Sequence, residues 1–374
     1  MHVTCRFATA AATIVILLAQ PTPAPAQESL DDNIMRTEGR LDPDQQDAIR
    51  DFVDDWTARL TAADASIGQI AEARRKLIEP LRVAGATDSA KDFYSTELAA
   101  KLRPALEAAR NEVRLNGTVI LGSMYRSTGL ALAQSRMVDA VPAIRYWATK
   151  AVADALDNDQ VAANVPEARR GNLLNTLKAV VPNEESTDVR RQQYLALVLL
   201  QTPQSWSFLI DNMSDYALVM GRKGPSEALA PVRAAMTKLQ GRLVYAKVQA
   251  GDNAARIREI QGQMHDLAVA ALKYAQILAR AKELDPATQA IGLDMVKTIE
   301  PILVQAQTNV APNWRIDDDF ELTKPFNQGK MVKFQWVVNN WIELYTTGPM
   351  SVKPQELQVP QPTPIDDEDE DDAD

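Results

Sequence analysis

Residues 112–121 read EVRLNGTVIL and residues 143–152 read AIRYWATKAV. Each stretch opens on a β-branched residue followed by arginine, Val113-Arg114 and Ile144-Arg145. Each then places a small residue four positions after the β-branched one, Gly117 and Ala148. The two stretches are offset by 31 residues at both landmarks. Self-similarity at that period predicts stacked helical pairs, because one pair cannot bury its apolar face alone and needs a neighbour to cover it.

Outward from this centre the spacing stays helical. Ile49, Phe52, Val53, Trp56 and Leu60 recur at steps of three and four, which makes one apolar helix face. Asp42-Pro43 before them reads as an N-cap followed by proline at the first helical position. Ile67, Ile70, Ala71, Leu77, Ile78 and Leu81 form the next face, and a third helix carries Phe93 and Leu98, with Pro104 expected to restart or kink it. Beyond Gly224, residues 229–250 and 257–278 carry two further seams at the same spacing, separated by Gly251-Asp252. They read as a long antiparallel hairpin. Phe334, Val337, Val338, Trp341, Leu344 and Tyr345 then share a face, as expected of a helix that closes the end of a stack.

The Val-Arg and Ile-Arg pairs, with Asp139 and Pro142 just upstream of the second, resemble HEAT-type helical repeats. Asp188-Val189-Arg190 resembles a further start, although Gln193 stands at the small position and the offset lengthens to 45. The resemblance covers about a third of the chain and implies a binding scaffold. The expected fold is all-α: an irregular HEAT-like stack, then the hairpin, then a C-terminal capping helix. The expected segments are 1–26 (signal peptide), 27–109 (N-terminal helices), 110–222 (repeats), 223–285 (hairpin), 286–348 (C-terminal helices) and 349–374 (proline-rich linker and acidic tail). Whether 27–109 joins the stack is open at this level.

Arg6 precedes an apolar stretch at 7–19, and Ala24-Pro25-Ala26 follows. This is the pattern of a cleaved signal peptide, too short to span a bilayer, which needs about 20 residues. Cleavage after Ala26 places the protein in the periplasm or outside the cell, with no membrane span retained. It also removes Cys5 and His2, leaving no cysteine and the single histidine His265. Thiol catalysis, disulfides and zinc or copper sites built from several soft ligands are thereby excluded. His265 follows the seam residue Met264 and is expected beside the seam, toward solvent.

The chain has 40 basic and 50 acidic residues. Eight of the acids lie in 366–374 (DDEDEDDAD), so 27–365 holds 39 basic against 42 acidic residues, a net −3. No basic stripe is present to recruit nucleic acid. No cofactor motif appears, and carboxylate pairs such as Asp54-Asp55 and Glu184-Glu185 are expected to be solvated.

Arg114, Arg145 and Arg190 are expected to tie neighbouring units together through an aspartate or a backbone carbonyl. Tyr146 and Trp147 are expected in the core. Trp336 and Tyr345 are the candidate contacts for a protein partner. The function these features imply is an exported, non-catalytic scaffold or adaptor of the bacterial cell envelope. Two alternatives are a helical-toroid enzyme acting on polysaccharide and a structural homo-oligomer assembled through the hairpin.

Overall fold

Sixteen α-helices build the described part of the chain, residues 29–124, 127–223, 229–280 and 286–360 of the computed structural model. Expectations that fall on 1–26, Gly224 and 361–374 lie outside these residues. No strand occurs among the described residues.

The first helices are α1 (Asp32–Met35), α2 (Pro43–Thr61), α3 (Ile67–Ile78), α4 (Asp88–Glu107) and α5 (Asn111–Leu121). Then come α6 (Ser127–Arg136), α7 (Pro142–Asp157), α8 (Asp159–Ala163), α9 (Glu167–Val180), α10 (Thr187–Leu199) and α11 (Pro203–Lys223). The remainder are α12 (Leu229–Gln249), α13 (Ala254–Arg280), α14 (Pro286–Val310), α15 (Thr323–Asn327) and α16 (Met331–Thr347).

Local chemistry sets the boundaries. Asp42 caps α2 by accepting from Gln45 N at 2.8 Å, while the Gln45 side chain accepts from Asp42 N at 3.1 Å. Ser66 and Gln69 repeat this reciprocal cap on α3. The turn between α12 and α13 passes through Gly251 at φ +51°, a conformation that glycine adopts without a Cβ clash. Helix α4 continues through Pro104 to Glu107.

Packing arranges these helices in two files. One runs α3, α5, α7, α10, α12, α14, each against the next. The other begins α2, α4, α6 and ends α11, α13, α16. Between them α9 bridges the second file: Gln134 of α6 donates to Asn172 O and Thr176 Oγ1, and Lys178 lies over the Phe208 ring of α11. One continuous core extends from Leu30 to Val359. The N-terminal helices therefore join the stack through α3 against α5 and α4 against α5 and α6. Helices α12 and α13 do pair with each other, and each also continues one file.

Gly117 shows why the sequence keeps a small residue there. A Cβ at this position would lie 3.2 Å from Ala105 Cβ on α4. A glycine inside a helix costs about 0.5–1 kcal/mol relative to alanine, so close approach of α4 and α5 must outweigh that. Gly117→Val is expected to destabilise by about 1–3 kcal/mol through overpacking, read from the midpoint of urea unfolding.

The chain end departs from expectation. Residues 349–360, read as the start of an extended linker, pack on α13 instead. Met350, Val352, Leu357 and Val359 are buried. Gln276 donates to Leu357 O, and the Arg280 guanidinium donates to the carbonyls of Val359 and Pro360. The four apolar side chains, spread among prolines, lack a helical period but still find an uncovered face.

Candidate functional site

The arginines that first marked the repeat form a connected ladder. Arg114 donates to the carbonyls of Ala108 and Ala109 and reaches Asp139 at 3.3 Å. Arg145 repeats this one unit later. It donates to the carbonyls of Asp139 and Ala140 and makes a bidentate pair with Glu184, 2.8 Å on each arm. Arg190 donates to Glu184 O and lies 4.3 Å over the Tyr216 ring. Each acid stands six residues before the next arginine, so every rung is held from both sides.

These pairs are largely removed from solvent; the Glu184 side chain is 2% exposed and that of Asp139 is 7% exposed. Glu184 is thus a correction to the solvated reading. Burial pushes its pKa up. The Arg145 hydrogen bonds, the Ser186 N–H and the charges of Arg145 and Arg190 outweigh that and hold it below the ordinary value. The three arginines are occupied by this role and offer nothing to a ligand.

The two aromatic candidates separate. Tyr345 is fully buried and donates to Leu303 O at 3.1 Å, so it is a core residue and not a partner contact. Burial drives its phenol pKa far above the ordinary value. Trp336 is 41% exposed, with Lys333 Nζ 3.4 Å from its ring centroid and Val332 exposed nearby. Nine residues separate Trp336 from Tyr345. At about 100° per residue they fall on opposite faces of α16, so no single surface contains both.

A broad opening lies elsewhere among the described residues. A groove of about 1290 Å³ runs along α3, α5 and α7, bounded by α1 and by the turn after α3. Small residues open it: Ala71, Gly122 and Ser123 face it where longer side chains would fill the space. Arg36 is fixed by Asp32 and by Ala84 O. Glu72 lies 3.7 Å from Arg75, and Lys150 holds Asp154 at 2.7 Å. Arg74 and Arg82 make no ion pair among the described residues, and Trp147 presents a half-buried indole to the same groove. Trp147 is therefore not the core residue its spacing predicted. It packs edge-to-face on Tyr146, with ring centroids 5.6 Å apart, and turns its other edge outward. Two available guanidiniums beside an aromatic wall suit an extended segment carrying carboxylates and an apolar side chain.

A second, smaller groove of about 440 Å³ lies on α11 and α13, where Asp211, Asp215, Asp266 and Glu356 surround Lys273. Burial, then the charge of Asp215, pushes the Asp211 pKa up, and burial pushes Lys273 down. His265 is half-buried beside this group rather than turned to solvent. No set of three or more His, Cys, Asp or Glu residues among those described is arranged to hold a metal ion. No helix among them is long and apolar enough to cross a membrane.

The fold and its ladder define an all-α helical-repeat protein with an open groove on one file of helices. No family model matches the chain, and no curated protein matches it. Among solved structures it is similar to two engineered proteins of the Northeast Structural Genomics Consortium. One is 13% identical over 67% of this chain and 97% of that one, at a TM-score of 0.34. The other is 12% identical over 87% and 96%, at a TM-score of 0.36. A mutant of Kap121p is 12% identical over 85% of this chain and 41% of that one, at a TM-score of 0.22. Likeness at these scores leaves the repeat assignment resting on the two helix files and the arginine ladder.

Proposed function

We propose that this protein is an exported, non-catalytic scaffold of the bacterial cell envelope that binds an acidic, extended segment of a protein partner in the groove along α3, α5 and α7. The observation that carries this reading is the pair of guanidiniums, Arg74 and Arg82, which make no ion pair among the described residues and lie in the same groove as Trp147. The carboxylates there are engaged by Arg36, Arg75, Lys76 and Lys150, which supports recognition rather than acid–base chemistry. Export is supported by the signal-peptide pattern of 1–26, and N-terminal sequencing of the secreted protein is expected to begin at Gln27.

A photo-crosslinking side chain at Ser123, within the groove, is expected to capture one discrete partner in cells. The Arg74→Glu, Arg82→Glu double variant is expected to reduce that capture by about tenfold or more, since reversing contact charges of this kind costs several kcal/mol. Equal capture from a control position at Val332, on the far α16, would sink the assignment.

A further inference from the structure

Helix α12 concentrates positive charge. It carries Arg233, Lys238, Arg242 and Lys247 and no acidic residue, in a body whose net charge is negative. At about 100° per residue, Gly241, Val244, Tyr245 and Val248 share one stripe, with Lys238 and Arg242 on one flank and Arg233 and Lys247 on the other. The stripe is open to solvent: Val244 is 38%, Tyr245 58% and Val248 71% exposed. Beside it lies a groove of about 240 Å³ lined by Trp206, Arg242, Tyr245 and Arg256.

Arg233 is paired with Asp294 at 2.8 Å, and the other three flanking charges are incompletely neutralised. Lys238 and Arg242 share the single carboxylate of Asp157, at 2.9 and 3.6 Å. Lys247 donates to the neutral amide of Asn309 at 2.6 Å. Such a surface fits an apolar side chain followed by a run of acids, and two α12 faces would repel each other.

The chain itself contains that pattern. Ile365 is followed directly by the eight acids of 366–374, which lie outside the described residues. Reach decides which copy supplies Ile365 to the groove. Pro360 is tied to Arg280 at one end of α13, and Arg256 stands at the other end, twenty-four residues or about 36 Å away. The five residues from Pro360 to Ile365 extend at most about 17 Å. Ile365 therefore cannot enter the groove of its own molecule.

We propose that the apolar and basic face of α12 binds residues 365–374 of a second copy of this chain. Such a contact is head-to-tail and closes into a ring or grows as a chain.

The test uses the protein with the eight acids of 366–374 replaced by Asn or Gln, so that no unlabelled acidic tail in the sample competes. A fluorescein-labelled peptide of residues 361–374 is titrated against it by anisotropy. Saturable binding is expected, weakening about tenfold or more between about 50 and about 300 mM salt as screening rises. Tyr245→Asp with Val248→Asp should abolish it. A peptide with Ile365→Ser should bind about tenfold more weakly, the loss of one buried aliphatic side chain. Both α12 positions are exposed, and an unchanged Tm would confirm that the variant folds. The unaltered protein should self-associate with concentration in sedimentation, and the tail-neutralised one should not. Absence of saturable binding, binding indifferent to the aspartate pair, or a monomer at every concentration would overturn the proposal. So would capture of the protein by anionic phospholipid vesicles through Tyr245 and Val248 when the peptide shows no binding.

Discussion

Replacing Glu184 with alanine is expected to destabilise the protein by about 3 kcal/mol or more, the cost of breaking one side of a buried ion pair. The loss exceeds that of a surface pair because the Glu184 carboxylate serves three partners on two helices at once. Its carboxylate receives Arg145 of α7 in bidentate fashion and accepts from Ser186 N at the start of α10 and from Gln193 Nε2 within α10. Set against a typical stability of about 5–15 kcal/mol, such a loss moves the unfolding midpoint far enough to measure without ambiguity. Glu184→Gln keeps shape and loses charge, so it should fall between wild type and alanine.

The pH dependence has a definite sign. A carboxyl whose pKa is lowered on folding stabilises fully above its unfolded value, here an ordinary 4.5. That contribution is lost as pH falls through the lowered folded value. Stability should therefore drop below about pH 4.5, and Glu184→Gln should flatten that drop. A double-mutant cycle with Arg145→Met isolates the pair.

Trp341→Ala is the second large effect, expected at about 3–5 kcal/mol. Its ring is fully buried among Trp314, Phe320 and Tyr345, with centroids 5.4, 5.1 and 5.8 Å away. Its indole N–H donates to Phe320 O at 2.8 Å. Removing it opens a cavity between α16 and the segment that carries Trp314 and Phe320, and leaves that carbonyl unpaired. Trp336→Ala, five residues earlier on the exposed face, is expected to change stability by about 0.5 kcal/mol or less. Chemical unfolding of the two variants side by side measures the contrast between a capping residue and a surface residue.

Much of the fold was legible. Ile49, Phe52, Val53, Trp56 and Leu60 were placed on one face by spacing, and all are buried. The cap at Asp42 was readable because its partners lie within one turn. The arginines were legible in kind: an aspartate or carbonyl of the neighbouring unit was expected, and Arg114 finds an aspartate and carbonyls while Arg145 finds carbonyls and a glutamate. Glu184 was not, because its partner Arg145 lies 39 residues upstream and the lengthened spacing hides the register. The site was less legible still. Trp147 follows the same spacing as a core residue, and only the gap between α3, α5 and α7 leaves its edge uncovered. Tyr345 and Trp336 look alike in composition, and the face that meets α13 separates them.

The order of the helices, their caps and their apolar faces were determined by the sequence alone, because backbone hydrogen bonds and side-chain periodicity act over a few residues. The groove with Arg74 and Arg82, the buried place of Glu184, the packing of 349–360 and the open stripe on α12 were decided only in the tertiary structure. Each depends on which distant helix comes within a few ångströms, and close packing across the two files sets those distances.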